Sequence, residues 1–141
     1  MYEGIMSESL RIGIIASQEE VIILKHLLPE VEWYCYEDLE QILRYGGSDK
    51  IEIVIIDYEK IGKSKKEEDR RLNLLESICG CFPIIVLIES CAIIPRWVKM
   101  RDLSVIRKPV DAETLEKMIQ VIRLRRLFQE VAATYVPSFK G

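Results

Sequence analysis

The feature that most constrains this chain is a rhythm in which short apolar runs alternate with longer amphipathic stretches. Leu10 to Ala16, Val31 to Tyr36, Ile51 to Ile56, Pro83 to Ile88 and Ser104 to Arg107 read as strands. The run from Ile51 to Ile56 is mostly β-branched, as in a strand buried on both faces. Helical stretches fill the intervals. Ser17-Gln18-Glu19-Glu20 matches a capping box, with Ser17 at the cap and Glu20 reaching back to it. The helix that follows uses Val21, Leu24, Leu27 and Leu28 and stops at Pro29. Asp38 caps a short helix ending at Gly46-Gly47. Ser64-Lys65-Lys66-Glu67 offers a second capping box, ahead of a helix through Leu72, Leu75 and Ile78 that Gly80 closes. Ile94 to Met100 reads as a short helix with a proline inside, and Asp111 caps a long one from Ala112 to about Tyr135.

Strands that alternate with helices need parallel crossover connections, which predicts an α/β, doubly wound sheet. The expected order is 2-1-3-4-5, with helices on both faces and an extended last helix. A chain of 141 residues suits one domain. We place it at residues 1–136, its core at about 10–123, its helix projecting to about 135, and a tail or linker at 137–141.

The net charge of −3 gives no electrostatic reason for nucleic-acid binding. Residues 1–9 carry two glutamates and no basic residue, unlike a secretory leader. No apolar run approaches the ~20 residues that span a bilayer. The expected setting is therefore cytoplasmic and away from membranes. Cys35, Cys79, Cys81 and Cys91 lack zinc-site spacing, and His26 is the single histidine. They read as small buried thiols, with no metal site among them.

In a doubly wound sheet, chemistry gathers beyond the carboxyl ends of the strands. The residues there are Ala16, Ser17, Gln18, Asp57, Ile88, Glu89, Ser90 and Lys108. Asp57 follows Ile55-Ile56 at the end of an apolar run, and Lys108 precedes Pro109 after the last strand. This order of elements, with the Asp after strand three and Lys-Pro after strand five, resembles the receiver domain of two-component response regulators, a flavodoxin-like fold. Val110-Asp111-Ala112-Glu113-Thr114-Leu115 is similar to the start of that family's last helix, and Pro83-Ile84-Ile85-Val86-Leu87 to its fourth strand. The match covers about residues 10–123.

The resemblance implies that Asp57 matches the phosphoacceptor and Lys108 the lysine that grips the acyl phosphate, with a cis Lys108–Pro109 bond. It also shows what is altered. The family's acidic pair after strand one, which holds Mg²⁺, is Ala16-Ser17 here, and only a shifted strand end would let Glu19 and Glu20 stand in. Its hydroxyl after strand four is Ile88, with Ser90 two residues late, and its switch aromatic on strand five is Val105. Lys60-Ile61 stands where Met-Pro is usual. Two readings follow. In the first, Asp57 and Lys108 form a plain ion pair in a degenerate receiver, not an enzyme and needing no cofactor, that acts through protein contacts. In the second, Asp57 takes phosphate from a histidine kinase with Mg²⁺ bound in an unorthodox way. A nucleotide-binding enzyme of this fold is disfavoured because no glycine follows strand one.

The last helix carries two apolar faces. Leu115, Met118, Ile119 and Ile122 are spaced to pack on the sheet. Val121, Leu124, Phe128, Val131 and Tyr135 follow the three-four spacing of a coiled-coil seam. A helix of ~24 residues measures ~36 Å, more than a small sheet covers. The seam therefore predicts a homodimer, and Arg123, Arg125 and Arg126 a solvated basic face. By analogy with regulators whose last helix leads into an effector domain, the chain reads as the N-terminal part of a larger, transcription-controlling regulator.

Overall fold

A computed structural model of the chain describes residues 9–61, 68–101 and 103–135. Ten elements alternate in it. They are β1 (Arg11–Ile15), α1 (Gln18–Leu27), β2 (Glu32–Cys35), α2 (Leu39–Tyr45), β3 (Ile53–Asp57), α3 (Glu68–Cys81), β4 (Ile84–Ile88), α4 (Arg96–Met100), β5 (Ser104–Arg107) and α5 (Ala112–Tyr135). The strands form one sheet in the order β2-β1-β3-β4-β5, with every pairing parallel. The sheet is thus the one the alternation requires.

Its register explains the composition of the strands. In β3 and β4 every residue is buried, because both faces of the sheet are covered. Ile15, Val54, Ile56, Ile84, Val86 and Ile88 point to one face and join Leu39 and Ile42 of α2, Leu75 and Ile78 of α3, and Val98 of α4. The alternate residues Ile12, Ile14, Ile53, Ile55, Ile85 and Leu87 are equally buried. Leu24 in the last turn of α1 and Leu28 just past its end are buried without being part of the first cluster. Both edge strands, β2 and β5, are only four residues long.

Several local expectations need correction. Glu20 does not complete the capping box: Ser17 Oγ accepts from the Glu20 amide at 3.2 Å, but the Glu20 carboxylate interacts with charges at the sheet edge instead. Gly80 does not close α3, which runs on to Cys81. A Cβ at Gly80 would meet nothing within 4 Å, so neither space nor backbone calls for glycine there. The proline of the short helix caps α4 as Pro95 rather than interrupting it, since the first helical turn needs no amide from that position. The thiols of Cys35, Cys81 and Cys91 are exposed and Cys79 is half-buried, so the four are not the buried set their residue type suggested. The capping box at Ser64 to Glu67, residues 1–8 and the tail at 137–141 lie outside the described residues. No helix among the described residues is long and apolar enough to cross a membrane.

The chain divides into two compact units, residues 1–110 and 111–141. The second is α5 with its cap: Asp111 accepts from the Thr114 amide at 2.9 Å and from the Thr114 hydroxyl at 2.7 Å. Leu115, Ile119 and Ile122 are buried along one face of this helix. The other face leaves Val121, Leu124, Leu127, Phe128 and Val131 between 45% and 71% exposed.

Candidate functional site

Parallel strands bring their carboxyl ends to one edge, and there the register sets Asp57 beside Leu87 and Ile88 beside Arg107. Chain direction then carries Lys108 one residue past β5, where its amide donates to the Ile88 carbonyl at 2.8 Å. The Lys108 ammonium meets the Asp57 carboxylate at 2.6 Å (Nζ to Oδ2). The expected pairing of these two residues is therefore direct. The Lys108–Pro109 peptide bond is cis, as the resemblance implied.

Asp57 is the only charged residue buried among the described ones. A carboxylate in that position must have all its oxygens supplied with donors. Oδ2 takes the Lys108 ammonium and Oδ1 the Glu59 amide at 3.1 Å, which leaves the group satisfied by the protein itself. Glu89 adds a second carboxylate, 3.5 Å from Lys108 Nζ. Glu20 is a third. Partial burial pushes its pKa up, Lys108 pulls it back down, and the charges of Asp57 and Glu89 raise it again. Burial alone would lower the pKa of Lys108. The bond and charge of Asp57, with Glu20 and Glu89 behind it, more than reverse that and hold it above its ordinary value. One ammonium thus sits among three carboxylates, and it is firmly charged.

Sequence reasoning placed Asp57, Lys108 and Glu89 at this edge but assigned Glu20 to the capping box. The signal that finds it is topological: a residue in the first turn after β1 lies at the carboxyl edge whichever way its side chain turns. Ser90 does not reach in; its hydroxyl faces the Cys91 thiol at 3.7 Å. Leu127 was also missed on α5, because it falls one step off the three-four spacing.

The family's Mg²⁺ does not fit these residues. Ala16 has no side-chain ligand and Ser17 no charge, while Ser17 Oγ accepts from the Glu20 amide and each Asp57 oxygen already accepts one donor. Among the described residues no group of three His, Cys, Asp or Glu side chains is placed to hold a metal ion.

No family profile matches the sequence, and no curated protein does. Solved structures match over most of the chain. The signal receiver domain of a putative LuxO repressor protein from Vibrio parahaemolyticus is 13% identical, with a TM-score of 0.66 over 89% of this chain and 98% of that one. A CheY-like response-regulator receiver domain from Methylobacillus flagellatus is 15% identical, with a TM-score of 0.64 over 82% and 99%. The receiver domain of Saccharomyces cerevisiae Ssk1, solved with the histidine phosphotransfer protein Ypd1, is 15% identical, with a TM-score of 0.57 over 79% and 86%. The fold is that of a response-regulator receiver domain. At such identities the likeness is one of architecture, and the chemistry rests on the residues just described.

Proposed function

We propose that this chain is a degenerate receiver: a signalling module that is not an enzyme, takes up no phosphoryl group and binds no Mg²⁺. It acts by protein contact, as a homodimer through the exposed face of α5. The observation that carries this reading is the closed Asp57 site. A phosphoacceptor needs an accessible carboxylate oxygen and a cation to neutralise the charge spread over the transferred oxygens. Asp57 is buried with one donor already on each oxygen, and Ala16 and Ser17 replace the carboxylates that would bring the metal. The dimer is supported by five large side chains left in water along α5, each able to contribute about 1.5–3 kcal/mol when buried. A second copy offers the same stripe, as a two-fold contact requires.

One observation favours a second reading, in which Asp57 accepts phosphate from a histidine kinase or a phosphotransfer protein. Glu20 and Glu89 supply negative charge beside Lys108 that the Ala16–Ser17 positions do not. Incubation with acetyl phosphate and Mg²⁺, followed by intact mass measurement, separates the two. We expect no added phosphate and no saturable shift of amide resonances around Asp57 with millimolar Mg²⁺. A gain of one phosphate, lost in Asp57→Ala, overturns the degenerate-receiver reading.

A further inference from the structure

The segment joining β4 to α4 carries no regular structure from Glu89 to Ile94, and its own backbone supplies it with little support. The Ala92 amide donates to the Glu89 carbonyl at 3.1 Å, which closes a single turn. What holds the rest is a side chain from β5. Arg107 Nη1 lies 3.2 Å from the Glu89 carbonyl, 3.0 Å from that of Ser90 and 2.8 Å from that of Ala92. Three carbonyl oxygens that converge on one point are held together by a multiply donating cation between them, in place of separate waters. A guanidinium is such a group, with rigid N–H donors and a charge that persists at any working pH.

The next residue holds the same loop by a different handle. Lys108 reaches the Glu89 side chain at 3.5 Å while Arg107 holds the Glu89 backbone. The first residue of the loop is thus anchored twice by consecutive cations at the end of β5. By the resemblance, phosphate sensing at this corner belongs to a hydroxyl after strand four and an aromatic on strand five, and those positions are Ile88 and Val105.

We infer that Arg107 is a built-in clamp that fixes the β4–α4 loop, and with it the start of α4, in one arrangement independent of any group on Asp57. This rests on the degenerate-receiver reading and specifies its regulation: the loop is fixed by an arginine of β5 and not by a group on Asp57. The three carbonyls that converge on Arg107 Nη1 carry the inference.

Amide hydrogen exchange on the full chain, followed residue by residue, tests it. In Arg107→Ala the Ala92 amide, which donates to the Glu89 carbonyl, should exchange roughly tenfold faster or more, since charge-assisted bonds that hold a local structure set its opening equilibrium. Arg107→Lys should restore part of the protection and Arg107→Gln less, while β1 and β3 amides report in every variant that the sheet is intact. Unchanged protection of Ala92 in Arg107→Ala, with the sheet intact, overturns the clamp. Should Arg107→Ala fail to fold, equal Ala92 protection in wild type, Arg107→Lys and Arg107→Gln overturns it. The same measurement with acetyl phosphate separates the two ideas. Phosphate uptake without a change in loop exchange sinks the degenerate-receiver reading and leaves the clamp standing. Loss of the clamp effect without phosphate uptake does the reverse.

Discussion

At the carboxyl edge of the sheet a charge is buried, and on the outer face of α5 apolar side chains are exposed. Asp57 is 3% exposed, whereas Phe128 is 71% exposed. Each inverts the usual distribution of residues, which makes each informative. The difference between them lies in where the compensation comes from. Asp57 is fully served by Lys108 and a backbone amide from its own unit, so the edge is closed. The stripe on α5 keeps 45% to 71% exposure at Val121, Leu124, Leu127, Phe128 and Val131 among the described residues. On the reading proposed above, the first region is satisfied from within and the second is the surface offered to a partner.

The comparison can be broken first at the ion pair, where the largest effect is expected. Lys108→Met leaves the Asp57 carboxylate buried and unpaired and should cost about 3 kcal/mol in urea unfolding. Adding Asp57→Asn should recover most of it, since removing both partners leaves no stranded charge. A double variant as unstable as the single one would show that the edge is held by something else. The pH dependence has a definite sign. A lysine pKa raised on folding contributes stability fully present below about 10.5 and lost as pH rises through the higher folded value. That alkaline loss should be absent from Lys108→Met.

The next effect is on assembly. Leu124→Asp with Phe128→Asp should turn a dimer into a folded monomer, weakening association by about a hundredfold or more. Sedimentation of the unmutated chain as a monomer at ~100 µM would remove the open half of the comparison.

The smallest effect sharpens the closed half. Glu20 has a raised pKa, so its ionisation opposes folding as pH rises from its ordinary 4.5 through the folded value. Glu20→Gln should therefore stabilise at pH 7 by about 0.5 kcal/mol or less, because solvent screens a group this exposed, and the gain should vanish below pH 4.5. A loss of stability instead would mean that Glu20 holds the cluster together.

The sheet was legible because its signal is redundant. Apolar β3 and β4, turn residues at each boundary and caps at Ser17, Asp38 and Asp111 all point to the same alternation. Asp57 and Lys108 were legible because topology alone brings their strand ends together. Glu20 was not, since a capping box and a charge at the sheet edge look identical in sequence until the side chain chooses. Arg107 was hidden for a related reason: its partners are backbone carbonyls, which no residue type announces. The cysteines misled because a thiol's preference for the interior is weaker than the pattern of the faces around it. Cys81 at the end of α3 and Cys91 in the β4–α4 loop both lie off the apolar pattern.

The four-residue edge strands carry a consequence for how such a molecule can evolve partners. A sheet recruits a new strand only along an edge long and flat enough to template it. Here β2 has only four residues, and its Glu32 is turned to Arg11 of the neighbouring β1 at 2.9 Å. At the other margin β5 is equally brief. With sheet extension closed off at both sides, new associations must be written on helices and loops, whose surface residues can change without disturbing the register within.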